Sequence, residues 1–259
     1  MFNRKSSGAF RWYKGKRLLA DLRGGDYAHA GGEEAIVYML EKFPKNAQRT
    51  ILDIGCGQGG SANFVQKHGW GQVVGFDIEE DSIEYAKHQY PNITFFVGDA
   101  TDYIGLQKVL NDKKFDIIYM MHSLCVFPQQ FAALQTARKF AHDKTTLIIL
   151  EYDDVTGGSN PLKRTDDSSK YFNVLDRSEF KRMLQEAKWQ VSDTNIIDIT
   201  ADFQRWYEDL LMSLKQMRNV IIERYGKEYC DKATKRYSGM LDAIKQKKLG
   251  GCIIYATTL

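Results

Sequence analysis

Cysteine is scarce and scattered. Cys56, Cys125, Cys230 and Cys252 stand far apart with no C-x-x-C pair, which suggests neither a zinc site nor a disulfide framework, and no metal centre is expected. No apolar run approaches the length of a bilayer span, and no signal-like segment opens the chain. The sequence therefore reads as a soluble, cytoplasmic protein without a membrane partner. Neither sign of charge dominates, since 36 Lys and Arg against 33 Asp and Glu leave a net +3. That is too mild to argue for a nucleic-acid footprint, and no nucleic-acid partner is expected. The small basic clusters, Arg4, Lys5, Lys14, Lys16 and Arg17 near the start and Lys245, Lys247 and Lys248 near the end, read as solvated charge. Internal repeats and low-complexity tracts are also missing.

What remains is a chain of 259 residues, 43% hydrophobic and 27% charged, long enough for one large domain. From Thr50 onward short β-like runs (TILDI, QVVGFDI, ITFFVGD, FDIIYMM, TTLIILEY) alternate with helical patterns. Such repetition predicts a parallel sheet with helices on both faces. Beyond Tyr152 the polar stretch DDVTGGSNPLKRTDDSSK reads as a long functional loop. DRSEFKRMLQEAKW follows as a helix, with Asp176 as N-cap and Glu179 as its capping-box partner. WQVSDTNIIDI reads as a strand, two long amphipathic helices fill most of 202–248, and GGCIIYATTL closes as a strand.

The glycines of ILDIGCGQGGSANF, at 55, 57 and 60, satisfy G-x-G-x-x-G, a pattern that would serve a nicotinamide dehydrogenase. Three acids at strand ends argue for a different ligand. Asp77, about twenty residues past the loop, is placed to accept from ribose hydroxyls. Asp53 at the mouth of the loop would oppose a pyrophosphate and favours an ammonium or sulfonium. Asp99 follows the third strand, where an adenine amine would lie. Strand-end aspartates often simply cap the next helix, but three in matching places describe an adenosine bearing a cationic amino-acid arm.

With these pieces the chain resembles the class I S-adenosylmethionine-dependent methyltransferases. LDIGCGQGG, VVGFDIEEDSIEYA, FFVGDATDY and FDIIYMMHSL stand in that family's order over roughly residues 50 to 150. The resemblance implies an α/β, Rossmann-like, seven-stranded sheet with an antiparallel last strand, helices on both faces and a helical lid. It implies S-adenosyl-L-methionine as cofactor, and cofactor roles for Asp53, Gly55, Gly57, Asp77, Ile78, Asp99 and Ala100; Met121 is a further expected cofactor contact. A further likeness, carried by YAHAGGEEA and by the helical insertion, is to the branch containing phosphoethanolamine and sarcosine or dimethylglycine N-methyltransferases. It implies that Ala28, His29 and Gly32 approach the methionine arm. In the phosphoethanolamine enzymes a Tyr of the N-terminal segment pairs with a His after the fourth strand. Val126 stands at that aligned position here, and His122 lies four residues earlier. The expected organisation is a single domain over 1–259, with an N-terminal cap at 1–45, a cofactor-binding core at 50–155 and a lid at 200–248.

Methyl transfer to an amine needs an uncharged nucleophile held in line, and imidazole is the side chain best matched to removing its proton near neutrality. His122, just past the fourth strand, is the expected base, with Tyr27 and Tyr152 completing the candidate catalytic set. Tyr13, Tyr152, Asp153 and Trp206 are the candidate substrate contacts, because aromatic faces and carboxylates hold cations. The competing reading of Trp206 is core, since Leu210, Leu211 and Leu214 share its helical stripe. His68, His88 and His142 read as structural or solvated. The expected partner is a small-molecule methyl acceptor, most simply an amine, and the protein a monomer or homodimer. RNA or protein methylation, or a non-catalytic S-adenosylmethionine sensor, are the alternatives. RNA is disfavoured by the lack of a flanking RNA-binding module and of an Asn/Asp-Pro-Pro-Tyr motif.

Overall fold

The computed structural model describes residues 13–156 and 173–259. Arg4 and Lys5, and the greater part of the polar stretch after Asp154, lie outside the described residues. Two short helices come first, α1 (Tyr13–Arg23) and α2 (Gly32–Leu40). The alternating unit then runs β1 (Thr50–Ile54), α3 (Gly60–Lys67), β2 (Gln72–Asp77), α4 (Glu80–Gln89), β3 (Thr94–Val97), α5 (Tyr103–Leu110), β4 (Phe115–Met121), α6 (Gln130–Lys139) and β5 (Ala141–Asp154). After the undescribed stretch come β6 (Leu175–Asp176), α7 (Arg177–Glu186), β7 (Trp189–Gln190) and β8 (Ile196–Asp198). Helices α8 (Thr200–Gln216), α9 (Arg218–Tyr225) and α10 (Lys227–Lys245) precede the last strand, β9 (Gly250–Thr258).

Seven strands form a continuous path in the order β3-β2-β1-β4-β5-β9-β7, with β6 and β8 as short additions beside β5 and β9. Strands β1 to β5 pair in parallel, and β9 runs antiparallel to β5 over eight residue pairs from Thr146↔Thr257 to Asp153↔Gly250. The sheet thus has the expected antiparallel last strand and gains two short strands. WQVSDTNIIDI does not form one strand: it divides into β7, a 3-10 turn at Asp193–Asn195, and β8. Ser, Asp, Thr and Asn in succession favour that turn, because their side chains bond nearby backbone. The cap of α7 is as expected, with the Glu179 amide donating to Asp176 Oδ1 at 3.2 Å.

Apolar residues fill both sheet faces because successive strand side chains point to opposite sides. Ile51, Ile117, Ile148, Leu150 and Ile253 pack toward α1, α2, α3, α8 and α10. Their neighbours Leu52, Ile118, Ile149 and Ile254 pack toward α5, α6 and α7. The same alternation separates two residues that matter below, sending Tyr152 to the first layer and Asp153 to the second.

Helices α8 to α10 are anchored to the N-terminal pair rather than standing apart. Trp206 Nε1 and Arg205 both donate to Glu34 on α2, at 2.8 and 2.6 Å. Arg224 and Tyr225 reach Asp21 on α1 at 2.8 and 2.5 Å. Gly31 is required at this junction, since a Cβ there would lie 2.8 Å from the Trp206 ring. Among the described residues no helix is long and apolar enough to cross a membrane.

Candidate active site

The carboxyl ends of β1, β2 and β4 meet in one place. The turn after β1 holds Gly55 at φ +81°, a conformation other residues rarely adopt, and a Cβ there would lie 2.4 Å from Ser123 Cβ. A Cβ on Gly60 would lie 2.3 Å from the Asp26 carbonyl oxygen, so α3 begins directly beneath the α1–α2 loop. That loop brings Ala28 and His29 over the glycines, with Ala28 Cβ 3.8 Å from where a Gly57 Cβ would stand.

The three strand-end acids have different surroundings. Asp53 is 2% exposed and accepts from Tyr119 Oη at 2.7 Å. Burial, against the pull of that hydrogen bond and with help from the Asp77 charge, raises its carboxyl to about 7. Asp77 Oδ2 accepts from the Gly57 amide at 2.9 Å and from Lys16 Nζ at 3.1 Å, and Oδ1 accepts from the Glu79 amide at 3.0 Å. Asp99 is more open, and its Oδ1 takes the Thr101 amide and hydroxyl at 2.9 and 2.8 Å, closing a local turn; the cap of α5 is Asp102, whose carboxylate accepts from the Gly105 amide. Asp99 and Ile78 nonetheless line one depression of about 300 Å³, together with Val97, Gly98 and Leu106. Ala100 is buried beneath this side.

Across β4 the character changes. His122 follows Met121 and has φ +52°, a strained conformation for a histidine of the kind that concentrates at functional sites. Its amide is tied to Leu150 O at 2.9 Å. Its ring lies 4.8 Å from Tyr152, 5.2 Å from Phe203 and 5.9 Å from His29, stacked nearly parallel with the last. Both imidazole nitrogens of His122 are buried without a hydrogen-bond partner, as are His29 Nδ1 and Gln58 Nε2. His29 Nε2 faces Ser61 Oγ at 3.2 Å, and that hydroxyl lies 3.8 Å from Met121 Sδ. Burial first, then the nearby Arg23, lowers His29 to about 3; burial and His29 hold His122 well below its usual value. Both imidazoles are therefore neutral at physiological pH. Tyr152 and Tyr207 share a 2.5 Å hydroxyl contact at the edge of this cluster.

The structure thus gathers His29, Asp53, Gly55, Gly57, Asp77, Met121, His122 and Tyr152 at the carboxyl ends of the strands, while Gly32, at φ +53°, faces Arg23 and Tyr27. It does not bring Asp153 there. Strand alternation turns that side chain to the opposite face, where Arg177 pairs with it. Tyr13 lies at the nucleoside end, its ring 6.2 Å from Tyr85 and its amide on Glu79 Oε1. The Tyr27 hydroxyl is turned to Glu33 Oε1 at 2.8 Å rather than toward His122. Trp206 is 2% exposed and packs on Phe203, Tyr38 and Gly31, in keeping with its reading as core. Sequence reasoning missed Lys16, Arg23, Ser61 and Phe203. Ser61 follows the glycine loop directly and was within reach of inspection. The other three arrive from distant helices and carry no local signal.

Buried acids beside open backbone and bare imidazole nitrogens fit a nucleoside with a cationic arm, with a second small molecule alongside. A family model described as a methyltransferase domain matches residues 45–234. Phosphoethanolamine N-methyltransferase 1 of Arabidopsis thaliana is 23% identical over 236 residues, 88% of this chain and 44% of that protein. The chain spans about half the length of the curated relatives it matches. Among solved structures, Haemonchus contortus phosphoethanolamine N-methyltransferase 2, in complex with S-adenosyl-L-methionine, superposes with a TM-score of 0.82 at 15% identity, over 98% of this chain and 61% of that one. A cyclopropane synthase from Mycobacterium tuberculosis superposes with a TM-score of 0.72 at 12% identity, over 86% and 83%. At such identities the superpositions establish the fold and leave the acceptor open.

Proposed function

The chain belongs to the methyltransferase-domain family, and on that premise we propose that it transfers a methyl group from S-adenosylmethionine to an amine nitrogen of a small molecule. One observation carries the reading: the glycine turn and the cluster of bare imidazoles meet directly, with Gly55 packed against Ser123 beside His122, and Ser61 Oγ lying 3.2 Å from His29 Nε2 and 3.8 Å from Met121 Sδ. Gly55 and Gly57 offer close backbone approach, Asp77 the ribose contact, Asp53 a carboxyl for the cationic arm, and Ile78 with Asp99 the adenine side. When bound, the cofactor supplies an electrophilic sulfonium methyl. A neutral His122 nitrogen would take the proton from the acceptor ammonium, whose own hold on it is weakened by the same burial, leaving the amine lone pair free to attack the methyl carbon as its bond to sulfur breaks. The Tyr152 and Tyr207 hydroxyls sit where they can hydrogen-bond the acceptor. The cluster is closed by Phe203 at 1% and Tyr207 at 3% exposure, which suits a small acceptor better than a folded polymer.

Arg23 refines the acceptor. Its guanidinium has no ion-pair partner among the described residues, its Nε is buried without a hydrogen-bond partner, and it donates only to the Trp206 carbonyl oxygen. Burial lowers its affinity for the proton. A half-buried cation beside His29 favours an acceptor that carries an acid group as well as an amine, as the names of the relatives also suggest.

Calorimetric titration with S-adenosylmethionine and S-adenosylhomocysteine, NADH serving as control, tests the cofactor. A panel of amines with and without phosphate or carboxylate, on the same sample, tests the acceptor. The expected result is binding of the first two ligands and turnover of an acid-bearing amine. Binding of NADH alone would overturn the cofactor, and binding without turnover of any amine would overturn the acceptor.

A further inference from the structure

Helix α1 places a lysine where a nucleoside diol is expected. Lys16 Nζ lies 3.1 Å from Asp77 Oδ2, 3.1 Å from Glu79 Oε2 and 3.3 Å from Ser82 Oγ, and its side chain is only 12% exposed. Its methylenes cross the glycine loop, with Cδ 3.7 Å from where a Gly57 Cβ would stand. Burial weakens the amine's hold on its proton, but the Asp77 and Glu79 charges outweigh it and Lys16 holds its proton more tightly than in water. The contact is therefore a buried, charged, three-partner site and not a surface ion pair.

The consequence lies in counting acceptors. An ionised carboxylate offers about four lone-pair directions, and three on Asp77 are taken by the Gly57 amide, the Glu79 amide and Lys16. Capture of two ribose hydroxyls needs two directions, so Lys16 must release Asp77. Glu79 and Ser82 give its ammonium a place to remain, and Glu79 also receives the Tyr13 amide at the start of α1. Both carboxylates thus bind α1 to the cleft, and only one of them is the diol site.

We propose that Lys16 is an affinity-setting residue of the nucleoside site: an internal occupant of Asp77 that the ribose hydroxyls displace, Lys16 withdrawing onto Glu79 and Ser82. Docking of α1 and nucleoside binding then compete for one carboxylate, and the apparent affinity is reduced by the fraction of molecules in which Lys16 holds it. The proposal rests on the cofactor reading above.

The test is titration of S-adenosylhomocysteine into the wild-type protein, Lys16→Met and Lys16→Arg, with hydrogen exchange of the α1 amides measured in the ligand-free proteins. Methionine keeps the methylene packing over Gly57 and removes the charge; arginine keeps the charge. The expected outcome is about tenfold tighter binding by Lys16→Met, faster α1 exchange in that variant, and near wild-type behaviour of Lys16→Arg. Unchanged or weaker binding by Lys16→Met, with wild type binding normally, overturns the competition and makes Lys16 a bystander or a ligand contact. Equal tightening by both variants overturns the role of charge, and unchanged α1 exchange overturns the link to docking. Absence of binding in all three proteins instead overturns the cofactor reading and the proposal with it.

Discussion

The two halves of the site are built on opposite principles. In the half formed by β1, β2 and β3, acids are abundant and their oxygens are engaged: Asp77 has three donors, Asp53 has Tyr119, and Asp99 has Thr101. In the half formed by β4, β5 and α8, rings are abundant and nitrogens are bare, with both His122 nitrogens and His29 Nδ1 unpartnered. A buried polar atom left without a partner costs roughly 1–3 kcal/mol. The first half is thus a finished binding surface whose own contacts a ligand must replace, whereas the second carries a standing cost that a ligand's polar groups would relieve.

The largest expected effect follows from the second half. Replacing His122 by Gln should lower the rate of methyl transfer by roughly 10²–10⁴, the usual worth of a positioned base. Binding of S-adenosylhomocysteine, measured by calorimetry, should stay within a few-fold. A loss of binding equal to the loss of rate would show that His122 serves the cofactor half and would dissolve the distinction between the two.

In the first half, Asp77→Ala removes two charged hydrogen bonds to the ribose, worth roughly 1.5–3 kcal/mol each, so S-adenosylhomocysteine affinity should fall by at least about 100-fold. Asp99→Ala should cost less, because its Oδ1 is already committed to the Thr101 turn. If Asp99 proved the more costly of the two, the adenine contact rather than the diol would dominate the cleft.

The same contrast governs what could be read in the sequence. Asp53, Gly55, Gly57, Asp77 and Asp99 are set by strand ends and the turns that follow them, and each strand, its turn and the next helix are contiguous in the chain, as over residues 50–67 and 72–89. Their placement follows from local pattern alone. The aromatic cluster is assembled from β4, β5, the α1–α2 loop and α8, elements up to 178 positions apart when Tyr207 and His29 are compared. No local spacing encodes which face of α8 meets His122. The difference at Asp153 has a simpler cause: residue type alone makes both Tyr152 and Asp153 candidates for holding a cation, whereas the two-residue period of a strand sends them to opposite faces. Tyr27 and Trp206 were named for their residue types, and each hydroxyl or indole N–H turned out to have a carboxylate of α2 as its partner.

A smaller effect tests the seam between the halves. Gly55→Ala places a Cβ against Ser123 at φ +81°, and strain of this kind costs roughly 1–3 kcal/mol. Urea unfolding should show that loss of stability, with cofactor binding weakened as well. Gly69→Ala, also at positive φ but with nothing within 4 Å, isolates the backbone term, so the difference between the two measures the closeness of β1 to the His122 turn.

The smallest effect is a cancellation. Burial raises Asp53 and Glu151 to about 7 from 3.8 and 4.5. The folded protein therefore keeps these protons where the unfolded chain loses them, and their contribution to stability is present at low pH and lost as pH rises toward 7. His29 and His122 are lowered from 6.5, His29 to about 3, so their contribution is present above pH 6.5 and lost as pH falls. Over the window between about pH 4.5 and 6.5 two groups of each sign oppose one another, each with a slope near 1.4 kcal/mol per pH unit at most. In Asp53→Asn one opposing group is gone, and stability relative to wild type should rise with pH across that window by up to about 1.4 kcal/mol per unit. His29→Asn should tilt the difference the other way by a similar amount. Urea unfolding at several pH values reads both slopes. A flat difference for Asp53→Asn beside a sloping one for His29→Asn would mean that the acid half exchanges protons as freely as in water, and that only the imidazole half is truly shielded.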